Sequence, residues 1–173
     1  MRTRTATWFE TKIRYEKTME DGLQKKVTEL YVVDSLSFTE AENMIIDEMS
    51  SYISGEFVVT DIKKAAYGEI FFSDGASDDR WYKAKLQFIT IDEKTEKEKR
   101  SSVTYLVQAG TLDGAVKHID EVMGSTMIDY VIASVAETQI MDVVEHHAKG
   151  TQPANDKPEY MQDEPEKENG EDE

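Results

Sequence analysis

Apolar and polar residues alternate over 6–16, through Trp8, Phe9, Ile13 and Tyr15, and again over 80–91, through Trp81, Tyr82, Leu86 and Phe88. A period of two predicts a β-strand in each place. Second strands are predicted over 26–34 and 102–108, both rich in Val, Tyr and Thr. The spacing then changes to that of a helix. Ser37-Phe38-Thr39-Glu40 reads as a capping box, and Ala41, Met44, Ile45 and Met49 follow on one helical face. Thr111 is the matching N-cap, followed by Ala115, Ile119, Val122 and Met123. Gly55 and Gly124 fall where helix C-caps are expected. Further strands are predicted over 56–62 with 67–72, and over 129–135 with 139–144.

The two series match each other. Trp8-Phe9 aligns with Trp81-Tyr82, Lys25-Lys26 with Lys99-Arg100, Tyr31-Val32-Val33 with Tyr105-Leu106-Val107, and Phe57-Val58-Val59 with Tyr130-Val131-Ile132, always 73 or 74 residues apart. The expectation is an α+β fold made by internal duplication of a β-β-α-β-β unit, with antiparallel sheets and helices on one face. The first repeat is placed at 1–72 and the second at 80–147, joined by the polar stretch 73–79.

Charge changes the picture at the C-terminus. Of 173 residues, 36 are Asp or Glu and 20 are Lys or Arg, a net charge of −16. From Gly150 to Glu173 there are nine acids against Lys157 and Lys167, and all three prolines lie there. With only Tyr160 and Met161 to bury, residues 148–173 are expected to be a disordered acidic tail. Elsewhere the charge is segregated: 80–108 holds seven bases and four acids, whereas 37–54 holds four acids and no base. There is no cysteine, hence no disulfide and no thiolate chemistry. No apolar run approaches the roughly 20 residues of a membrane span. A cytoplasmic protein without membrane contact is the expectation.

The first strand of each half presents two rows of side chains. Phe9, Thr11, Ile13 and Tyr15 form a core row, as do Tyr82, Ala84, Leu86 and Phe88. The opposite rows pair an indole with cations: Trp8, Lys12 and Arg14 in the first half, Trp81, Lys83 and Lys85 in the second. Lys25, Lys26, Lys99 and Arg100 add positive charge across each hairpin. An exposed aromatic ring beside Lys and Arg suits sequence-tolerant binding of single-stranded nucleic acid, where each stacked base contributes about 1–3 kcal/mol. The alternative is ordinary: a Trp sealing the rim of a core, with the cations on a solvated face.

Other chemistry finds little support. His146-His147 point to opposite faces of a strand, His118 reads as a boundary residue, and Asp74, Asp78 and Asp79 lack the spacing of a calcium loop. No phosphate loop, dinucleotide fingerprint or nucleophile elbow is present, so neither an enzyme nor a cofactor is expected.

The stretches Glu29-Leu30-Tyr31-Val32-Val33-Asp34, Ser37-Phe38-Thr39-Glu40-Ala41-Glu42 and Glu137-Thr138-Gln139-Ile140-Met141-Asp142-Val143 resemble an uncharacterised domain-of-unknown-function family of gut bacteria and their phages, crAss-like phages included. The likeness runs over about residues 7–145. It implies a phage or prophage setting and, as suspected for some members, single-stranded DNA binding; it supplies no catalytic residues. Residues 57–127 also run strand-strand-strand-strand-helix, an order similar to the whirly and coactivator-type single-strand binders. The expectation is a non-enzymatic single-stranded DNA-binding protein of phage DNA replication or recombination. Its acidic tail would serve autoinhibition or the recruitment of replication proteins, and a homodimer is left open. The competing expectation is an acidic protein-interaction module or DNA-mimic decoy that binds a host protein.

Overall fold

The computed structural model describes residues 1–146, so the expected tail lies outside the described residues. In chain order the elements are β1 (Arg2–Thr5), β2 (Trp8–Thr18), β3 (Gln24–Asp34), α1 (Phe38–Ser50), β4 (Phe57–Lys64), β5 (Glu69–Phe72), β6 (Arg80–Ile91), β7 (Glu98–Ala109), α2 (Leu112–Gly124), β8 (Asp129–Glu137) and β9 (Ile140–Val144). The protein is α+β, with two helices and two mixed sheets.

Local chemistry sets the elements. The β2–β3 hairpin turns at Asp21-Gly22, where Gly22 takes φ +80° and the Asp21 carboxylate accepts the Leu23 N–H at 3.0 Å. The Ser37 hydroxyl caps α1 by accepting the Glu40 N–H at 3.1 Å, while the Glu40 carboxylate accepts the Leu36 N–H at 3.2 Å. Thr111 caps α2 through the Gly114 N–H at 3.0 Å. The C-caps are Ser51 and Ser125, not the expected glycines: Gly124 ends α2 itself, and Gly55, with φ +107°, turns the chain into β4.

The sheets contain strands from both halves of the chain. One has the order β4-β2-β3-β9, the other β1-β5-β7-β6-β8. Thus β9 leaves the second half to pair with β3, and β5 leaves the first half to pair with β7, both in parallel. The expected all-antiparallel pairing is corrected on this point. β3 and β7 each have their antiparallel hairpin partner on one edge, and the other edge of each receives a strand from the opposite half, which runs in the same direction. The similarity to whirly-type binders fails for the same reason, since β4 lies in one sheet and β5, β6 and β7 in the other. β1 is an addition that alternation in the sequence did not reveal; it pairs with β5.

Three apolar clusters hold the layers. α1 buries Ala41, Ile45 and Met49 against Phe9, Ile13 and Val33; α2 buries Ala115, Ile119 and Met123 against Tyr82, Leu86 and Val107. The third cluster lies between the sheets: Trp8, Val32, Ile140 and Val143 of the four-stranded sheet meet Ile70, Phe72, Trp81 and Leu106 of the five-stranded one. The architecture is helix, sheet, sheet, helix.

Candidate nucleic-acid interface

The expectation that Trp8 and Trp81 turn toward solvent is corrected. They are 1% and 2% exposed and belong to the layer between the sheets. The Trp8 indole N–H donates to the Gly68 carbonyl at 3.3 Å, and Trp81 meets the edge of Phe72 with ring centroids 5.7 Å apart. Alternation did separate the helix-facing row from the other row. It could not show that the near half of that other row is covered by a second sheet. The missed signal was the unbroken apolar runs Leu30-Tyr31-Val32-Val33, Ile70-Phe71-Phe72 and Tyr105-Leu106-Val107. Such runs mean burial on both faces.

Glu10, next in the row after Trp8, is 6% exposed and was not singled out from sequence. Its carboxylate accepts from Lys83 at 3.4 Å and Tyr67 at 3.1 Å, and Lys63 lies at 3.5 Å. Lys83 is therefore neutralised, which corrects its assignment as free positive charge. Burial and the Glu10 carboxylate together hold the Tyr67 hydroxyl in its protonated form.

Beyond this junction the rows run out into solvent. On the four-stranded sheet Lys12 and Arg14 are exposed, and Lys26 shares their face opposite Glu16. On the five-stranded sheet Lys85 is exposed between Thr104 and Ser134, followed by Gln87 opposite Ser102. Arg100 donates to Gln87 and Glu98, each at 3.3 Å. Lys25 and Lys99 are exposed as well, but opposite Lys17 and Thr90 they lie on the other faces of the hairpins. Among the described residues, Lys12, Arg14, Lys25, Lys26, Lys85 and Lys99 form no ion pair, so of the ten expected contact residues the structure gathers Lys12, Arg14, Lys26, Lys85 and Arg100 on the outward-running faces.

A β-bulge interrupts β2–β4 pairing between Lys12 and Ile13, and another interrupts β6–β8 pairing between Lys85 and Leu86. A bulge bends its strand and strengthens the local twist, so each sheet turns at the lysine where its polar face begins.

At the other end of the junction β1 closes the core. Arg2 lies 4.0 Å over the Phe72 ring and Arg4 lies 5.8 Å from the Trp8 ring. Both arginines bind Glu145, and Arg4 also binds Asp34. The Arg2 hydrogen bond, helped by Arg4, holds the Glu145 carboxyl below the usual carboxylate range. The linker acids have structural work of their own: Asp78 binds Ser73 and accepts the Gly110 N–H at 2.8 Å, with His118 Nε2 at 3.7 Å. Among the described residues no group of three or more metal-ligating side chains occurs, and no helix is long and apolar enough to cross a membrane.

The fold and site thus define an α+β protein of two packed mixed sheets whose faces beyond their contact carry Lys12, Arg14 and Lys26 beside Glu16 and Asp61 on one side, and Lys85 and Arg100 beside Glu98 and Asp129 on the other. Residues 7–146 match a family described as a domain of unknown function, DUF4494, and the chain belongs to that family. No curated protein and no solved structure matches it.

Proposed function

We propose that this is a non-enzymatic, cytoplasmic single-stranded DNA-binding protein of phage-type replication or recombination, contacting the strand through Lys12, Arg14 and Lys26 on one sheet and Lys85 and Arg100 on the other. The observation that carries the reading is that Lys12, Arg14, Lys26 and Lys85 form no ion pair among the described residues, on faces that also present Thr28 on one sheet and Gln87, Ser102, Thr104 and Ser134 on the other; Arg100 is shared with Glu98. Lys and Arg bind phosphates by releasing condensed counterions, and hydroxyl side chains add hydrogen bonds to the same backbone. Stacking on the two indoles has no part in this reading.

Residues 1–72 and 80–147 are taken as copies of one β-β-α-β-β unit; the constant offset and the reciprocal placement of β5 and β9 support this. The segment 148–173 serves as an acidic tail that competes for the cationic faces or recruits replication proteins. Fluorescence anisotropy of labelled oligo(dT) tests the reading. Affinity should fall with salt at a log–log slope of roughly −0.7 per phosphate neutralised. Replacing Lys12, Arg14 and Lys85 together by Glu should abolish binding, and absence of binding by the native chain at low salt would overturn the reading.

One observation favours a second reading, an acidic interaction module or DNA-mimic decoy. α1 exposes Glu42 and Asp47, half-exposes Glu40 and Glu48, and no base lies between 37 and 54. A chain that ignores oligo(dT) yet captures a basic DNA-binding protein is the outcome this reading requires.

A further inference from the structure

The faces that run beyond the sheet contact each carry an exposed aliphatic residue on their edge strand. Val58 is 55% exposed and Val131 39%, and neither joins any of the three apolar clusters. Their chain neighbours do: Phe57 and Val59 pack beneath α1, Tyr130 and Ile132 beneath α2. Alternation along β4 and β8 therefore turns the two valines outward.

Strand register sets each valine in a row. Val58, Arg14 and Thr28 lie side by side across β4, β2 and β3, and Val131, Gln87 and Ser102 across β8, β6 and β7. One same-face step toward the junction stand Lys12 and Lys85; one step away from it stand Lys26 and Arg100. Each step is about 7 Å along the strand.

A lone exposed valine needs no explanation. These two recur 73 residues apart, on faces that otherwise differ: Arg14 answers to Gln87, Glu16 to Ile89 and Asp61 to Ser134. Both faces keep a lysine, a hydroxyl, a second base and the valine. Phosphate gains nothing from an aliphatic group. A single strand does, because its bases are free to lie on an apolar side chain while its phosphates meet the cations. In a duplex the bases face each other, and a sheet face outside the grooves meets phosphate and sugar alone.

We infer that Val58 and Val131 are the base-contacting residues of two like subsites, one on each sheet, and that they make the surface prefer a single strand to a duplex. The inference rests on the proposed function and names the residues that give it selectivity.

Two series of variants in the full chain test it. Val58→Ala and Val131→Ala should each weaken oligo(dT) binding about threefold, and together roughly tenfold, because less of each base is covered. Affinity for a duplex of equal length should stay as it is. Val58→Trp and Val131→Trp should tighten oligo(dT) binding, and the added indole should be quenched as a base stacks on it. Met127→Trp, at a fully exposed position between α2 and β8, should not respond. A variant that misfolds in one series leaves the other to decide at the same position. Equal losses toward oligo(dT) and duplex, unquenched indoles at 58 and 131, or a response at one valine alone would overturn the inference and leave single-strand binding standing. A native chain that ignores oligo(dT) at low salt would remove the proposed function and the inference with it.

Discussion

Lys83 donates to the buried carboxylate of Glu10 at 3.4 Å, and the two residues occupy matching places in their strands, 73 positions apart. The residues two positions before them, Trp8 and Trp81, belong to the layer between the sheets. The two series therefore meet at an acid in one and a base in the other. Had both positions carried Glu or both Lys, like charges would face each other at a largely dry contact.

The pair is asymmetric in cost. Glu10→Ala leaves the Tyr67 hydroxyl without its acceptor and Lys83 without its carboxylate, and should destabilise the fold by about 1–3 kcal/mol. Lys83→Met should cost less than about 1 kcal/mol, because Lys83 is 42% exposed and Glu10 keeps Lys63 and Tyr67. Urea denaturation of both variants checks the order.

Burial of the indoles predicts their spectroscopy. Emission should be blue in the native state, shift red on unfolding, and show no stacking quench when oligo(dT) binds. Trp81→Ala should cost about 3–5 kcal/mol by emptying the layer between the sheets. Strong quenching of both indoles by oligo(dT) would contradict their placement.

Gly110 has no room for a side chain, since an added Cβ would lie 2.6 Å from the Ser77 carbonyl oxygen. Gly110→Ala must push the linker away and stretch the hydrogen bond from its N–H to Asp78. A loss of about 1–3 kcal/mol is expected, read by thermal unfolding.

Glu145 titrates with the fold. Its carboxyl is held low by its hydrogen bond to Arg2 and by Arg4. A depressed folded value contributes stability that is complete above the unfolded value of about 4.3 and lost as pH falls through the folded one. Glu145→Gln should therefore be less stable than the native chain at pH 7, and the difference should vanish in strong acid. Denaturant midpoints across that range measure it.

Tyr130 behaves in the opposite sense. Its hydrogen bond to Asp120, then burial, raises the hydroxyl to about 12. The stabilisation is complete below the unfolded value of about 10 and disappears as pH rises through about 12. Tyr130→Phe should remove that part of the alkaline instability, and absorbance at alkaline pH should show one fewer late-ionising tyrosine.

Periodicity and capping made most of the elements legible: Ser37 and Thr111 start their helices, Asp21-Gly22 turns its hairpin, and Phe9, Ile13, Tyr82 and Leu86 face the helices as alternation requires. These are short-range matters, settled by a residue's own conformational preferences and those of its near neighbours. Which strands would share a sheet, and whether one sheet would cover the other, was decided only in the folded chain. β5 and β9 cross, each taking the second edge of the other half's hairpin, and which of two equivalent edges a strand joins has no signature in local sequence. The fate of Trp8 and Trp81 followed from that exchange. A side chain's face is set by its strand, but what lies against that face depends on a distant segment, and there the apolar area of two indoles outweighed any role at the surface.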